Sequence, residues 1–400
     1  MGETEVVLEN LVEILLLASV VAIAVKRIHI PYTTALVLVG IAVSFLPFHL
    51  DVHLSKELVF LVILPPLLFQ GALHTDLDQL RRHLLPIVTL AVPGLVVAML
   101  LMGAMLHYAL GMPWLKGMLF GAMVAATDPI SVLAIFREVK TPDRLKVLVE
   151  GESLLNDGTS VVLFGVIYGA LYGGTEVTAL SAGLEFFKVV IGGAVVGLAL
   201  GYLAHRTMKR LDDHLLEVTL TVVLVFGSFI VAELFHFSGV IAVVLAGLIM
   251  GNYGRMFSMT KRTRETVENF WEVIDFLINA LLFLLIGFEM KAYVPDIEQY
   301  LAPGALVVAI ALVSRAMTVY PVWWMVSKTR QSFPFPWTHV LWWGGLKGSI
   351  PIALVLGMPS DIPFRAEFLV LAAFLVFFSL VIQSLTMKPL VKTVLARSPA

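Results

Sequence analysis

Residues 121–160 read GAMVAATDPISVLAIFREVKTPDRLKVLVEGESLLNDGTS, and their reading decides the fold. Two apolar runs flank a short basic turn, so the stretch is expected to form two helices buried in lipid. Into these runs the sequence sets Asp128, Glu152 and Asp157. An ionisable side chain at the bilayer centre costs at least about 2.5 kcal/mol, which makes function the first reading of each. Thr127-Asp128-Pro129 puts a helix breaker directly after an acid. On the next helix, Glu152/Asn156 and Ser153/Asp157 are i, i+4 pairs, so the four share one broad face.

Outside this stretch the composition is of the same kind. The 400 residues are 59% hydrophobic and 14% charged, against about 25% charged in soluble domains. Mean hydropathy is +0.94. The chain is therefore an all-α polytopic membrane protein whose partner is the lipid bilayer. A net charge of −2 offers no basic patch for nucleic acid. The absence of cysteine excludes disulfides, zinc–thiolate sites and thiol catalysis. The N-terminus has no basic n-region and no small-residue cleavage site, so it is expected to be the first span rather than a signal peptide.

A span needs roughly 20 apolar residues. Thirteen candidates meet this, at about 6–25, 32–49, 57–73, 85–109, 115–136, 145–172, 178–205, 213–235, 238–254, 266–290, 303–326, 335–357 and 366–387. Under this count, 20 of the 27 Lys and Arg residues fall in the odd-to-even loops and the C-terminal tail. Basic residues collect on the cytoplasmic side. The N-terminus is thus expected outside and the C-terminus inside.

Two spans are broken, one by Thr127-Asp128-Pro129 and one by Gly344-Gly345-Leu346-Lys347-Gly348-Ser349-Ile350-Pro351. They lie seven spans apart, so they run in opposite senses. A matched pair of Gly/Pro-interrupted spans points to the binding site of an inverted-repeat transporter. Breaks free backbone groups at the midplane, which is tolerated only where they line protein or water. An acid on one break (Asp128) and a base on the other (Lys347) are placed to compensate the half-helix dipoles.

Within this frame Asp157 is the expected transport group. Hard alkali cations take oxygen ligands, and a carboxylate with the Ser153 hydroxyl and a freed backbone carbonyl supplies them. One carboxylate holds a proton or a cation, never both, and that competition yields exchange once access alternates. Asp128 can ligate the ion, cap the half-helix after Pro129 or neutralise Lys347. Asn156 is expected to hydrogen-bond the broken backbone near Thr127. Glu152 needs a partner. Arg315, alone in ALVSRAMTVYPVWW, is the first candidate and Lys347 the second. Gln70, after Pro65-Pro66, lines the ion path or ties helices together. Glu272 and Asp275 line a cation-attracting funnel or form a solvated helix start.

FGAMVAATDP, EGESLLNDG, FWEVIDFLINALLFLLIG and WWGGLKGSIPIAL resemble the NhaP/NHE-type monovalent cation:proton antiporters, over essentially the whole chain. The resemblance implies 13 spans with two crossed broken helices, a homodimer and an elevator-like motion. A dimer domain (1–83 and 173–300) would stay fixed while a core domain (84–172 and 301–388) moves, leaving a short tail at 389–400. It implies that Asp157 is the transport carboxylate and that Asn156 is its neutral partner in electroneutral exchange. Thr127, Asp128 and Ser153 match positions around the ion, with Asp157, Ser153 and Thr127 as cation ligands. Glu152 and Arg315 match a stabilising pair, and Gly348 and Ser349 lie in the second broken helix. Two positions depart from the family: Lys347 stands where Arg is usual, and Gln70 where prokaryotic relatives often have an acid. The expected activity is Na⁺ (or Li⁺)/H⁺ exchange in a prokaryotic inner membrane without a cofactor, K⁺/H⁺ exchange being the nearest alternative. A cation channel is the rival from another class. A membrane aspartyl protease is disfavoured, since the chain has no G-x-G-D element.

Overall fold

The computed structural model describes residues 3–28, 32–45, 56–172, 178–211, 213–295, 297–359 and 361–397. The end of the second expected span, 46–49, lies outside them. Every regular element among the described residues is a helix. We label them α1 (Glu3–Ile28), α2 (Tyr32–Ser44), α3 (Val59–His74), α4 (Leu77–Arg82), α5 (Leu84–Leu110), α6 (Trp114–Ala125), α7 (Ile130–Glu138) and α8 (Asp143–Tyr172). The second half holds α9 (Ala179–Met208), α10 (His214–Leu234), α11 (Gly239–Phe257), α12 (Lys261–Met290), α13 (Ile297–Val326), α14 (Trp337–Trp343), α15 (Ser349–Leu356) and α16 (Arg365–Ala396).

By length and composition, eight of these are long and apolar enough to cross a membrane, and shorter apolar helices stand beside them. An all-helical answer is what lipid requires, because each helix satisfies its own backbone. Helix starts carry the side chains that orphan amides need. Asp213 accepts from the amides of Leu215 and Leu216, Ser238 from Ile241 and Thr260 from Thr263. Gly111, at φ +69°, ends α5 in the left-handed conformation and turns the chain into α6.

Helices surrounded by lipid associate through close packing of small residues rather than through a hydrophobic driving force. Gly193, Gly197 and Gly201 form a stripe on α9 that seats α11 at Ser238, Ala242 and Ala246. Gly40 of α2 meets Gly287 of α12 in the same way. These contacts gather α2, α3 and α9–α12 around one centre, where Phe69 packs on Trp271 at 5.0 Å and the Trp271 indole donates to Thr221 (3.0 Å). Around a second centre, α5 packs on α6, α6 on α8, and α13 on α5 and α16. Both interrupted spans, α6–α7 and α14–α15, belong to this second group.

Candidate ion-binding site

The first interruption follows from local chemistry. Proline lacks an amide proton and disfavours helical geometry in the residue before it. Accordingly α6 stops at Ala125, and the chain leaves the helix until Ile130. The second interruption spans Gly344–Gly348, between α14 and α15. The two linkers meet directly, for the Asp128 amide donates to the Leu346 carbonyl at 2.8 Å. Gly348 is required at this crossing. A β-carbon there would lie 2.6 Å from the Asp128 Cβ, so only glycine lets the chains approach. Ser349 opens α15 just beyond.

One face of α8 grips the first break. Ser153 Oγ donates to the Thr127 carbonyl. Asn156 Nδ2 donates to Thr127 Oγ1 (2.8 Å), and its Oδ1 accepts from the Thr127 amide (3.4 Å). Ser160 Oγ donates to the Ala122 carbonyl (2.6 Å). All three α8 side chains are buried, as is Thr127. Asp157, on the same face, is different: its Oδ1 is buried and has no hydrogen-bond partner. The charges acting on it are those of Asp128, Lys347 and Glu152. A carboxylate oxygen left unpaired in such surroundings demands a proton or a cation. The hydroxyls and freed carbonyl beside it are the ligand type a hard cation takes.

Lys347, buried, reaches back to the first break, with Nζ 3.4 Å from the Ala125 carbonyl and 3.3 Å from the Ala126 carbonyl. Its ammonium therefore sits at the negative C-terminal end of α6. Asp128 packs instead against Gly348, at the positive N-terminal end of α15. Each break thus compensates the other.

Arg315 of α13 forks onto both carboxylate oxygens of Glu152, with Nη2 at 2.9 Å from Oε2, and also donates to the Leu341 carbonyl (2.9 Å). Glu152 is thereby paired with Arg315, and Lys347 forms no ion pair among the described residues. A cavity of about 40 Å³ lies alongside, bounded in part by Glu152, Asn156, Arg315 and Lys347. Gln70 is half-buried on α3, which meets α8 where Gly71 faces Leu154. No side-chain hydrogen bond of Gln70 reaches the cluster among the described residues. Asp275 on α12 is half-buried and within electrostatic reach of Asp128, and the Asn279 amide donates to its backbone carbonyl (2.9 Å). Glu272, one turn earlier, is exposed.

Two contributors escaped the sequence reading. Ser379 and Gln383 of α16 bond the backbone of the second break, at Lys347 and Trp343. The available signal was a pair of polar residues at i, i+4 inside an apolar span. Being uncharged, they did not stand out as the acids did.

The profile described as "Sodium/hydrogen exchanger, transmembrane" matches residues 14–393. The chain belongs to the sodium/hydrogen exchanger family. It is accordingly an integral, multi-pass membrane protein of a transporter family. The Na(+)/H(+) antiporter NhaG of Bacillus atrophaeus is 38% identical over 391 residues, covering 95% of this chain and 73% of that one. The Na(+)/H(+) antiporter ApNhaP of Aphanothece halophytica is 38% identical over 407 residues, covering 98% and 76%. Among solved structures, the sodium proton antiporter MjNhaP1 of Methanocaldococcus jannaschii at pH 8 superposes with a TM-score of 0.84 at 22% identity, covering 99% of this chain and all of that one. That likeness shows a shared fold over nearly the whole chain.

Proposed function

We propose that this protein exchanges Na⁺ or Li⁺ for H⁺ through one shared carboxylate, Asp157. The observation that carries the reading is the unpaired, buried Oδ1 of Asp157 at the crossing of two helix breaks. The cation form is held by Asp157 with oxygens of Thr127 and Ser153, and Asp128 lies close enough to contribute. The proton form is the neutral acid. Either occupant brings one positive charge to the same carboxylate, so a cycle that swaps them one for one is electroneutral. Asn156, which is neutral, adds no second charge to that cycle.

The names of the relatives, Na(+)/H(+) antiporters, support sodium as the cation. The two packing groups support a division into a fixed body (1–83 and 173–300) and a moving body (84–172 and 301–388) that carries the site. On this reading the protein is a homodimer in a prokaryotic inner membrane, with its N-terminus outside and its C-terminus in the cytoplasm. Asp275 and Glu272, approaching from the fixed body, draw cations toward Asp128.

Proteoliposomes with an imposed pH gradient and the membrane potential clamped at zero provide the test. Dequenching of a pH-sensitive dye on adding Na⁺ or Li⁺, and its loss in Asp157→Asn with the fold retained, is the expected result. Exchange that persists in Asp157→Asn refutes the shared-carboxylate mechanism. A response to K⁺ alone overturns the choice of ion.

A further inference from the structure

We propose that Ser379 and Gln383 are positioning residues for the ion site, clamping the second break as Ser153, Asn156 and Ser160 clamp the first. The inference rests on the exchange reading given above.

Ser379 is fully buried, and its hydroxyl touches both sides of one residue. It accepts from the Lys347 amide at 2.9 Å and lies 3.3 Å from the Lys347 carbonyl. Gln383, also buried, donates from Nε2 to the carbonyl of Trp343 at 2.9 Å, where α14 ends. A broken helix leaves its last carbonyls and next amides without intrahelical partners. These two side chains supply such partners, as Ser160 does for Ala122 and Asn156 for the Thr127 amide. In each half the helix that follows the broken span provides the clamp: α8 after α6–α7, and α16 after α14–α15. That recurrence is what two copies of one unit, inverted and joined, produce.

A serine in a helix often does no more than bond its own backbone, and Ser379 does approach the Val376 carbonyl at 3.0 Å. Accepting the Lys347 amide is a separate task that this local bond does not explain. The residues 379–383 also form a wide π turn within α16, a rare geometry that concentrates at functional sites. Holding Lys347 at its amide and near its carbonyl fixes the direction of its Cα–Cβ bond. That direction decides whether the ammonium reaches the Ala125 and Ala126 carbonyls next to Thr127. Freed from Ser379, the linker re-aims the charge beside the cation ligands. Cation affinity should therefore respond more than turnover.

The test compares wild type, Ser379→Ala, Gln383→Leu and Ser228→Ala. Ser228 is a control, since it is equally buried on α10 but, among the described residues, bonds only the Val225 carbonyl of its own helix. Two quantities are read: initial exchange rates against Na⁺ in proteoliposomes, and the Na⁺ concentration that half-saturates thermal stabilisation in detergent. Loss of one net hydrogen bond predicts about a fivefold rise in apparent KM in Ser379→Ala, equivalent to about 1 kcal/mol, with kcat within about twofold. The half-saturating Na⁺ should shift by the same factor, Gln383→Leu should move the same way, and Ser228→Ala should move neither quantity. Exchange and Na⁺ half-saturation both at wild-type values in Ser379→Ala and Gln383→Leu would overturn the proposal while leaving the exchanger intact. So would an equal shift in Ser228→Ala. Absence of any Na⁺ response in the wild type would overturn the exchange reading and this inference together.

Discussion

The Glu152–Arg315 pair allows a prediction whose size follows from its setting. The side chains retain only 3% and 16% of their accessible surface, so solvent screens the pair weakly. Arg315 also holds the Leu341 carbonyl, so the fork joins α8, α13 and α14. Removing one partner of a buried pair strands the other charge and typically costs about 3–5 kcal/mol. Glu152→Ala leaves a guanidinium in the interior, whereas Arg315→Ala leaves a carboxylate and an unpaired carbonyl. Each single variant should fall in that range and lower the thermal midpoint in detergent by roughly 6–10 °C, using about 2 °C per kcal/mol for a large chain. The double variant strands neither charge. Its loss should undercut the sum of the singles by about 1.5–3 kcal/mol. Tryptophan fluorescence on heating reads the midpoint, and the chain carries seven reporters. Strictly additive losses would refute the coupling.

Other perturbations probe neighbouring parts of the argument. Gly348→Ala forces a methyl to within 2.6 Å of the Asp128 Cβ. The variant should lose about 1–3 kcal/mol of stability and most of its exchange, and unchanged initial rates would show that the crossing yields. Gly197→Ala, 2.2 Å from the Ala242 carbonyl, should disturb the α9–α11 seam, seen as a lower midpoint without a change in Na⁺ KM. His83, in the turn before α5, gives a pH prediction. Burial pushes its imidazole below the usual range, and Arg144 and Arg82 push the same way. The unfolded chain then binds the proton more readily, so stability rises with pH where the unfolded imidazole titrates. His83 should favour folding above about pH 6.5 and lose that contribution as pH falls from there toward the lower folded value. A His83→Asn protein whose midpoint keeps the same dependence between pH 7 and 5 would remove His83 as the source.

The fold was legible because lipid leaves the backbone few options and because the breaks coincide with charge. Asp128, Glu152, Asp157, Arg315 and Lys347 stand out against apolar runs, and the structure brings all five to one region. The i, i+4 spacing placed Asn156 and Ser153 on the face that meets Thr127. Two things were not legible. The direction of compensation was hidden, since sequence pairs Asp128 with Lys347 in name but cannot say that each lies at the end of the other's helix. The Ser379–Gln383 contacts were hidden too, because their partners are backbone atoms more than thirty residues away. Element ends were softer than expected: the single span expected at 335–357 is two short helices, α14 and α15, joined by the non-helical linker Gly344–Gly348.

The bond from the Asp128 amide to the Leu346 carbonyl has a mechanical consequence. Together with the reciprocal seats of Lys347 and Asp128, it makes the two interrupted helices a single strut with no internal joint. Neither half can tilt or slide alone without breaking that backbone bond or moving each charge off the helix end it faces. Whatever displacement the protein undergoes in operation, this strut travels whole. The degrees of freedom lie instead at its ends, in short connectors such as residues 139–142, where Lys140 takes a backbone angle of φ +55°.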